Sequence, residues 1–220
     1  MANYIFPYQH IIWDWNGTLL DDAWLCIEIM NAMLVRRGLK RMTPEEYEQV
    51  FDFPVRDYYQ RLGFDFQVEP FEKVSDEFIG RYMKRLPECK LRDCTREVLA
   101  HGWRKGLNQY VLSAMKHDTL NDMVTNFKLQ TFFKAVTGLN DHHAHGKSDV
   151  GRAWLDQQHL DRSTIVMIGD TVHDFEVAQT LGIDFIPIHS GHHSRERLLT
   201  ATGRQLLPTL MALYDPPTKQ

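Results

Sequence analysis

The sequence has few cysteines, no long hydrophobic run and no excess of positive charge. Its three cysteines, Cys26, Cys89 and Cys94, are an odd number without a CxxC pair, which argues against a disulfide framework and indicates reduced thiols. No apolar run approaches the length of a membrane span, and residues 1–10 lack the pattern of a signal peptide, so we expect a cytoplasmic protein. A formal net charge of −4 argues against a protein that binds nucleic acid through bulk positive charge.

The overall amino-acid composition is that of a soluble globular protein. Hydrophobic residues make up 43% of the chain and charged residues 25%, which are ordinary proportions for a folded domain. A chain of 220 residues can bury one substantial core or two modest ones. We find no internal repeat and no low-complexity segment.

The most informative stretch lies near the start of the chain. Ile11, Ile12 and Trp13 form a short apolar run that predicts a buried strand, and the run ends at a carboxylate, Asp14. The residues that follow include Asn16 and a glycine, which favour a sharp turn. Buried strands of parallel sheets have this pattern, and such sheets place their chemistry at the carboxyl ends of the strands.

Helical patterns fill residues 20–90. Apolar residues recur at helical spacing after Asp21 and Asp22, and Thr43-Pro44-Glu45-Glu46 predicts a capping box at the start of a second helix. Residues 54–62 predict a third helix and residues 69–86 a fourth. We find no convincing strand between residues 20 and 90, so this segment predicts a small helical bundle inserted after the first strand.

Strands and helices then alternate to the end of the chain. Strands are predicted at 109–113, 134–137, 164–168 and 185–188, with helices between them and a last helix at 204–214. This alternation predicts right-handed crossovers and a parallel sheet. The predicted organisation is therefore an α/β core formed by residues 1–19 and 91–220, with a helical cap formed by residues 20–90.

Polar groups follow four separate segments of the predicted core. They are Asp14 with Asn16, then Ser113, then Lys147, and finally Asp170 with Asp174. Carboxylates, a hydroxyl and an ammonium that converge at one sheet edge suit metal-assisted phosphoryl chemistry, because Mg²⁺ prefers oxygen ligands. Any one of these residues alone would be an ordinary surface or capping group, and their joint occurrence in order carries the prediction.

These four segments resemble the four motifs of the haloacid dehalogenase (HAD) superfamily. The matching stretches are Asp14-Trp-Asn-Gly-Thr-Leu, the strand that ends in Ser113, Lys147, and Gly169-Asp170-Thr-Val-His-Asp174. The helical insert resembles the C1-type cap of phosphoglycolate-phosphatase-like members. The resemblance implies a Rossmann-like parallel sheet, a Mg²⁺ cofactor, and a phosphoric monoester hydrolase that acts on a small phosphorylated metabolite, such as a phosphoglycolate-like acid or a sugar phosphate.

The same resemblance implies a role for each matching residue. Asp14 would form an aspartyl-phosphate, and Asp14, the main-chain carbonyl of Asn16 and Asp170 would be ligands of Mg²⁺. Asp174 would be either a further ligand or a partner of the ligands. Ser113 and Lys147 would hold phosphate oxygens. Main-chain N–H groups near Trp15, Asn16 and Ala114 would assist them.

Asn16 departs from the superfamily pattern, because phosphatases of this superfamily usually carry a second Asp there as general acid and base. An amide cannot exchange a proton at neutral pH, and loss of such help typically costs about 10²–10⁴-fold in rate. Three alternatives follow: a slow phosphatase, whose turnover Asn16→Asp should raise, an enzyme that cleaves a C–P or C–halogen bond, or a weakly active protein that binds a phosphorylated metabolite.

Other features give weaker predictions. Arg56 lies beside a predicted cap helix and is a candidate contact for the leaving group of the substrate. The run His142-His143-Ala144-His145 could supply zinc ligands, although a polar loop explains it better. Residues 189–193 predict another loop at the rim of the site, with a phosphate or leaving-group contact as the alternative. The expected partner is a small molecule, with no membrane and no nucleic acid, and the chain could be a monomer or a homodimer.

Overall fold

The computed structural model describes residues 8–139, 146–189 and 191–214. Five parallel strands form its central sheet, in the spatial order β5–β4–β1–β6–β7. The strands are β1 (His10–Trp13), β4 (Asn108–Lys116), β5 (Ala135–Leu139), β6 (Ile165–Gly169) and β7 (Asp184–Pro187). The mostly parallel sheet with flanking helices confirms the predicted α/β class.

The first strand lies at the centre of the sheet and is buried on both faces. Ile11 pairs in register with Gln109 on one side and with Val166 on the other. Ile11 and Trp13 pack into one hydrophobic cluster, whereas Ile12 packs into a second cluster on the opposite face. Alternation of side chains along a strand covered on both faces explains why the run is continuously apolar.

Four helices separate β1 from the remaining strands of the sheet. They are α1 (Ala23–Arg36), α2 (Pro44–Val50), α3 (Val55–Arg61) and α4 (Phe71–Arg85), which we call the helical segment. The capping box predicted at α2 is present: the Thr43 hydroxyl accepts from the Glu46 N–H, and the Glu46 carboxylate accepts from the Thr43 N–H. Arg37 pairs with Glu69 at 2.7 Å and with Glu77 at 2.8 Å, which fastens α1 to α4.

Two short strands mark where the chain enters and leaves the helical segment. β2 (Leu20–Asp21) and β3 (Lys90–Leu91) pair in antiparallel orientation, with Leu20 opposite Leu91. The sequence did not predict these strands, because two residues are too few to show a periodic pattern. The pair brings both ends of the segment together beside the residues that follow β1.

The other helices are α5 (Thr95–Arg104), α6 (His117–Asn126), α7 (Lys147–Gln158), α8 (Val172–Leu181) and α9 (Arg195–Thr202). Residues of α5 and α6 join the cluster of Ile11, and residues of α7 and α8 join the cluster of Ile12, whereas α9 packs against α8. No helix among the described residues is long and apolar enough to cross a membrane.

The prediction of a helix at residues 204–214 is wrong. Within the described residues, the last α-helix ends at Thr202, where Gly203 adopts a left-handed conformation with φ of 60°, and one 3₁₀ turn, Leu210–Leu213, follows before residue 214. Pro208 lies inside the predicted range, and proline removes a helical hydrogen bond and clashes with the preceding turn. A second difference concerns Ser113, which was predicted to end its strand but lies inside β4, since that strand continues to Lys116.

Candidate active site

The central strands bring the predicted carboxylates to one edge of the sheet. Asp14 follows β1 and Asp170 follows β6, and these strands are hydrogen-bonded neighbours. The Asp14 N–H donates to the Ile168 carbonyl at 2.9 Å, which extends the hydrogen bonding between β1 and β6 as far as Asp14. Asp14, Asp170 and Asp174 are all buried, and each offers an oxygen within 4.8 Å of the others. The sheet therefore assembles the acidic cluster that the sequence predicts.

Lys147 is the cation that balances part of this negative charge. It is the first residue of α7, and it is 3% exposed. Its Nζ contacts Asp14 Oδ1 and donates to Asp174 Oδ1 at 2.6 Å. One ammonium against three carboxylates leaves the buried cluster with an excess of negative charge, which is the electrostatic setting in which a divalent cation binds.

The pKa values of these groups follow from burial and from their neighbours. Burial, the charge of Asp174 and that of Asp170 raise the pKa of Asp14 well above its ordinary value, against the opposing effect of Lys147. Burial also raises the pKa of Asp170. Burial would raise the pKa of Asp174 as well, but the charge and hydrogen bond of Lys147 outweigh it and the pKa is lowered. For Lys147 the two carboxylates outweigh burial and raise the pKa, so the ammonium stays charged.

Two glycines allow the Asp170 carboxylate to be enclosed. The Thr18 hydroxyl donates to Asp170 Oδ1 at 2.7 Å, and the His192 N–H donates to Oδ2 at 2.6 Å. A Cβ added at either Gly17 or Gly191 would collide with this carboxylate. Gly17 also has φ of 76°, a conformation that side chains disfavour. Glycine is therefore required on both sides of Asp170 for the chain to approach so closely.

Asn16 is held in place by a buried acid that the sequence prediction did not assign to the site. Its side-chain amide donates to Asp22 Oδ2 at 2.8 Å and contacts the Tyr82 hydroxyl at 2.9 Å. Tyr82 in turn donates to the same oxygen of Asp22 at 2.7 Å. The Gly17 N–H donates to Asp22 Oδ1 at 2.9 Å. Since Tyr82 belongs to α4, this network joins the turn after β1 to the helical segment.

His192 compensates the charge of Asp22. Its Nε2 lies 3.4 Å from Asp22 Oδ1, and its Nδ1 lies 2.7 Å from the Tyr47 hydroxyl. Burial alone would lower the pKa of His192, but the hydrogen bond and charge of Asp22, together with the charges of Asp170 and Asp14, raise it to about 9. The same pairing lowers the pKa of Asp22 despite its complete burial. An ion pair of Asp22 and His192 thus lies beside the carboxylate cluster.

The predicted phosphate contacts surround the same space. Ser113 and Ala114 line the cavity beside Asp14, and the Ser113 hydroxyl lies 3.4 Å from Asn16 Oδ1 and accepts from the Met115 N–H at 3.0 Å. The Trp15 side chain is completely buried in the core, so a contact from Trp15 to phosphate must come from its main chain. The predicted residues that line this cavity are Asp14, Asn16, Ser113, Ala114, Lys147 and Asp174. Asp170 is not part of the lining, but its carboxylate lies within 4.8 Å of those of Asp14 and Asp174.

Arg56 is not brought to this cavity. Its guanidinium lies over the rings of Phe66 and Phe71, at 5.0 and 5.3 Å from their centroids, and Arg56 is absent from the described residues that line the cavity. In this structure it packs within the helical segment rather than facing the site. His142, His143 and His145 lie outside the described residues, so the structure does not place the histidine run.

The donor set fits Mg²⁺. Three buried carboxylates whose oxygens lie within 4.8 Å of one another offer the hard oxygen ligands that this ion prefers, and the site opens into a cavity with room for the water molecules it retains. Asp14, Asp170 and Asp174 are the residues that could hold the ion. Among the described residues, no histidine or cysteine joins this group of potential ligands.

Asp22, Tyr82 and His192 were not predicted to form this network. Asp22 precedes the apolar positions of the first predicted helix, and it lies directly before α1 in the structure. Tyr82 is one of the apolar positions of the amphipathic helix predicted at residues 69–86. His192 lies in the loop at 189–193, for which the sequence prediction offered a leaving-group contact only as an alternative. One feature of the sequence pointed to this network. The carboxylate of Asp22 follows shortly after the motif of Asp14, and position 16 of that motif carries Asn where the superfamily usually has Asp.

Comparisons with known proteins agree with this geometry. The family model described as haloacid dehalogenase-like hydrolase matches residues 11–188. A 5′-nucleotidase from Pseudomonas aeruginosa is 26% identical over 206 residues, which cover 90% of each chain. A phosphoglycolate phosphatase from Synechococcus elongatus is 22% identical over 209 residues, covering 91% of this chain and 93% of the relative. Among solved structures, a haloacid dehalogenase-like family hydrolase from Streptococcus pneumoniae has a TM-score of 0.77 at 20% identity, covering 93% of this chain and 95% of the other.

Proposed function

Because the chain belongs to the haloacid dehalogenase-like hydrolases, we propose that it is a Mg²⁺-dependent phosphatase that hydrolyses a small phosphorylated metabolite through an aspartyl-phosphate on Asp14. The observation that carries the proposal is the buried cluster in which Lys147 bridges Asp14 and Asp174 while Asp170 lies within ligand distance. A nucleophilic carboxylate, a fixed cation and further oxygen ligands are the parts that phosphoryl transfer needs.

The chemistry proceeds in two displacements at phosphorus. In the first, a carboxylate oxygen of Asp14 forms a bond to phosphorus while the bond to the alcohol oxygen breaks, and that oxygen takes up a proton. In the second, water attacks the aspartyl-phosphate, releasing phosphate and restoring Asp14. The sum is ester plus water giving alcohol plus phosphate. Lys147 neutralises charge on the phosphoryl oxygens, with Ser113 and the main-chain N–H groups of Trp15, Asn16 and Ala114 as further donors.

Mg²⁺ would be held by Asp14, Asp170, Asp174 and the main-chain carbonyl of Asn16. When bound, the ion neutralises negative charge on the transferring phosphoryl group. The helical segment would exclude bulk water while the reaction takes place, since Tyr82 and the apolar residues of α4 form part of the cavity wall.

Proton transfer is the part of the reaction that Asn16 affects. Its amide donates to Asp22 and cannot supply a proton to the leaving alcohol. We therefore expect slow turnover of esters whose alcohols are weak acids and faster turnover of activated aryl esters. The difference should approach the roughly 10²–10⁴-fold that general acid catalysis typically contributes.

The names of the relatives support phosphate ester hydrolysis without fixing the alcohol. A 5′-nucleotidase and a phosphoglycolate phosphatase act on different alcohols but share the phosphate monoester bond. The direct test is a phosphate-release screen over acid, sugar and nucleotide monophosphates, with Mg²⁺ and with a chelator. We expect Mg²⁺-dependent release from at least one ester and none in Asp14→Asn. Equal rates in the wild-type protein and Asp14→Asn would reject Asp14 as the nucleophile.

Asn16 favours a second candidate, a protein that binds a phosphorylated metabolite without turning it over. Calorimetric titration with the same esters separates the two candidates. Binding in the presence of Mg²⁺ without phosphate release from any ester would favour the binding protein. Release of phosphate from a phosphonate, or of halide from a haloacid, would instead indicate one of the other reactions of the superfamily.

A further inference from the structure

The cavity beside Asp14 has two chemically different walls. One wall carries Asp14, Asp174, Lys147 and His192. The wall contributed by the helical segment is mostly apolar and largely aromatic, and it includes Phe51, Phe53, Val55, Phe78, Ile79 and Met83. A phosphate seated at Lys147 would therefore direct the rest of its molecule toward hydrocarbon and aromatic rings.

This space is larger than a two-carbon acid requires. The cavity beside Asp14 has a volume of about 240 Å³. It adjoins a second cavity of about 460 Å³, with which it shares Phe51, Phe53, Val55 and Phe78, and which reaches Tyr58. Sites for organic ligands of moderate size typically occupy about 300–1,000 Å³. The walls thus leave room for a ring system beyond the phosphate.

The apolar wall offers no buried partner for a second anion. Among the described lining residues, Lys147 is bound by Asp14 and Asp174, and His192 is paired with Asp22. Lys116 and His173 also belong to the lining, and their side chains are 45% and 25% exposed to solvent. Burying a carboxylate against hydrocarbon without a cation is costly. The wall therefore disfavours a substrate whose alcohol carries a carboxylate.

Phe53 offers a ring surface at the edge of this space. It is 36% exposed although it is a large apolar side chain. Its ring packs edge-on against Phe51 at 5.4 Å and lies 4.7 Å from the ring of His173. An exposed aromatic ring within a site is a stacking surface for a planar ligand.

We propose that the alcohol portion of the substrate carries an uncharged aromatic ring, as in a nucleoside monophosphate, that packs against Phe53 and Phe78. This inference rests on the proposed phosphatase function and specifies its substrate class. The reaction is unchanged: the phosphorus–oxygen bond to the alcohol breaks, water supplies the new oxygen on phosphate, and the alcohol departs with a proton.

The test compares two esters that differ in the presence of the base with a third ester of a small charged alcohol. Adenosine 5′-monophosphate and ribose 5-phosphate share the phosphate and the sugar, and 2-phosphoglycolate supplies the charged small alcohol. We expect kcat/KM for the adenosine ester to exceed that for each of the others by about tenfold or more, because only this ester carries a base that can stack on Phe53. Phe53→Ala should reduce this preference about five- to tenfold, and Phe53→Trp should retain it.

Phe66→Ala is the matched control, because Phe66 belongs to the helical segment but lines neither cavity. It should leave the preference unchanged. Equal or better use of ribose 5-phosphate or 2-phosphoglycolate would overturn the inference and leave the phosphatase proposal intact. If no ester releases phosphate, the phosphatase proposal fails. The inference is then tested by the affinities of the same esters in the presence of Mg²⁺, measured by calorimetry, which should show the same preference of about tenfold for the adenosine ester. An undiminished preference in Phe53→Ala would also overturn it.

Discussion

The contact between Asn16 and Asp22 predicts that restoring an acid at position 16 destabilises the protein. Asn16→Asp replaces an amide that donates to Asp22 Oδ2 at 2.8 Å with a carboxyl group facing another carboxyl group. Two carboxylates so close share a proton, which strongly raises one of their pKa values. The variant should therefore be less stable than the wild-type protein at neutral pH, although it moves position 16 toward the usual motif of the family.

The size of the effect follows from proton linkage. A carboxyl group whose pKa is raised by folding costs about 1.4 kcal/mol for each pH unit above its ordinary pKa of about 3.9, until the raised value is reached. The cost is absent below about pH 4 and grows as the pH rises. It is at most about 4 kcal/mol at pH 7 and about 2 kcal/mol at pH 5.5. For a chain of this size, 4 kcal/mol corresponds to a decrease in Tm of about 8–16 °C.

The assay is thermal unfolding of four proteins in a chelator at pH 5.5, 7 and 8. They are the wild type, Asn16→Asp, Asp22→Asn and the double variant, which form a double-mutant cycle. The double variant exchanges amide and acid and should recover at least half of the stability that Asn16→Asp loses. If Asn16→Asp is as stable as the wild type at pH 8, or if the double variant recovers nothing, the proposed repulsion between positions 16 and 22 is refuted.

Three further predictions concern the charged groups of the site. Asp14→Asn should reduce phosphate release by about 10³-fold or more, while Tm is unchanged or higher, because the raised pKa of Asp14 makes its ionised form unfavourable in the folded protein; a large loss of Tm would contradict this. Lys147→Met should lower the free energy of unfolding in urea by about 3–5 kcal/mol, since Asp14 and Asp174 lose their shared cation; an unchanged midpoint would exclude it. His192 has a pKa raised from 6.5 to about 9, so its pairing with Asp22 stabilises the protein fully below pH 6.5 and less as the pH rises toward 9. His192→Gln should flatten the decrease in Tm across that window, and a parallel decrease in both proteins would disprove it.

Much of the site could be predicted because its residues follow ordered motifs. Asp14 and Asp170 end neighbouring parallel strands, and strand ends in such a sheet meet at one edge. Lys147 begins a helix whose N-terminus faces the same edge. The sequence order of strands and helices therefore determines that these groups meet, without detailed knowledge of packing.

The network around Asn16 could not be predicted in the same way. Tyr82 reaches Asn16 across 66 residues, and its place at the site depends on how α4 packs against α1. In the sequence, Tyr82 is one of several apolar positions on an amphipathic helix. His192 approaches Asp170 only because Gly191 and Gly17 leave no side chain in the way. Such contacts come from tertiary packing, and no periodic pattern in the sequence predicts them.

The network also changes what the Asn at position 16 means. Asp22 is buried, its charge is matched by His192, and its carboxylate accepts from Asn16 and Tyr82. An amide at position 16 is what this environment requires, because an acid would put two carboxylates in contact. The substitution and the buried acid therefore form one arrangement, so the single change Asn16→Asp does not reproduce the site of a typical phosphatase of the family. Only exchange of both residues tests whether a carboxyl group at position 16 accelerates the reaction.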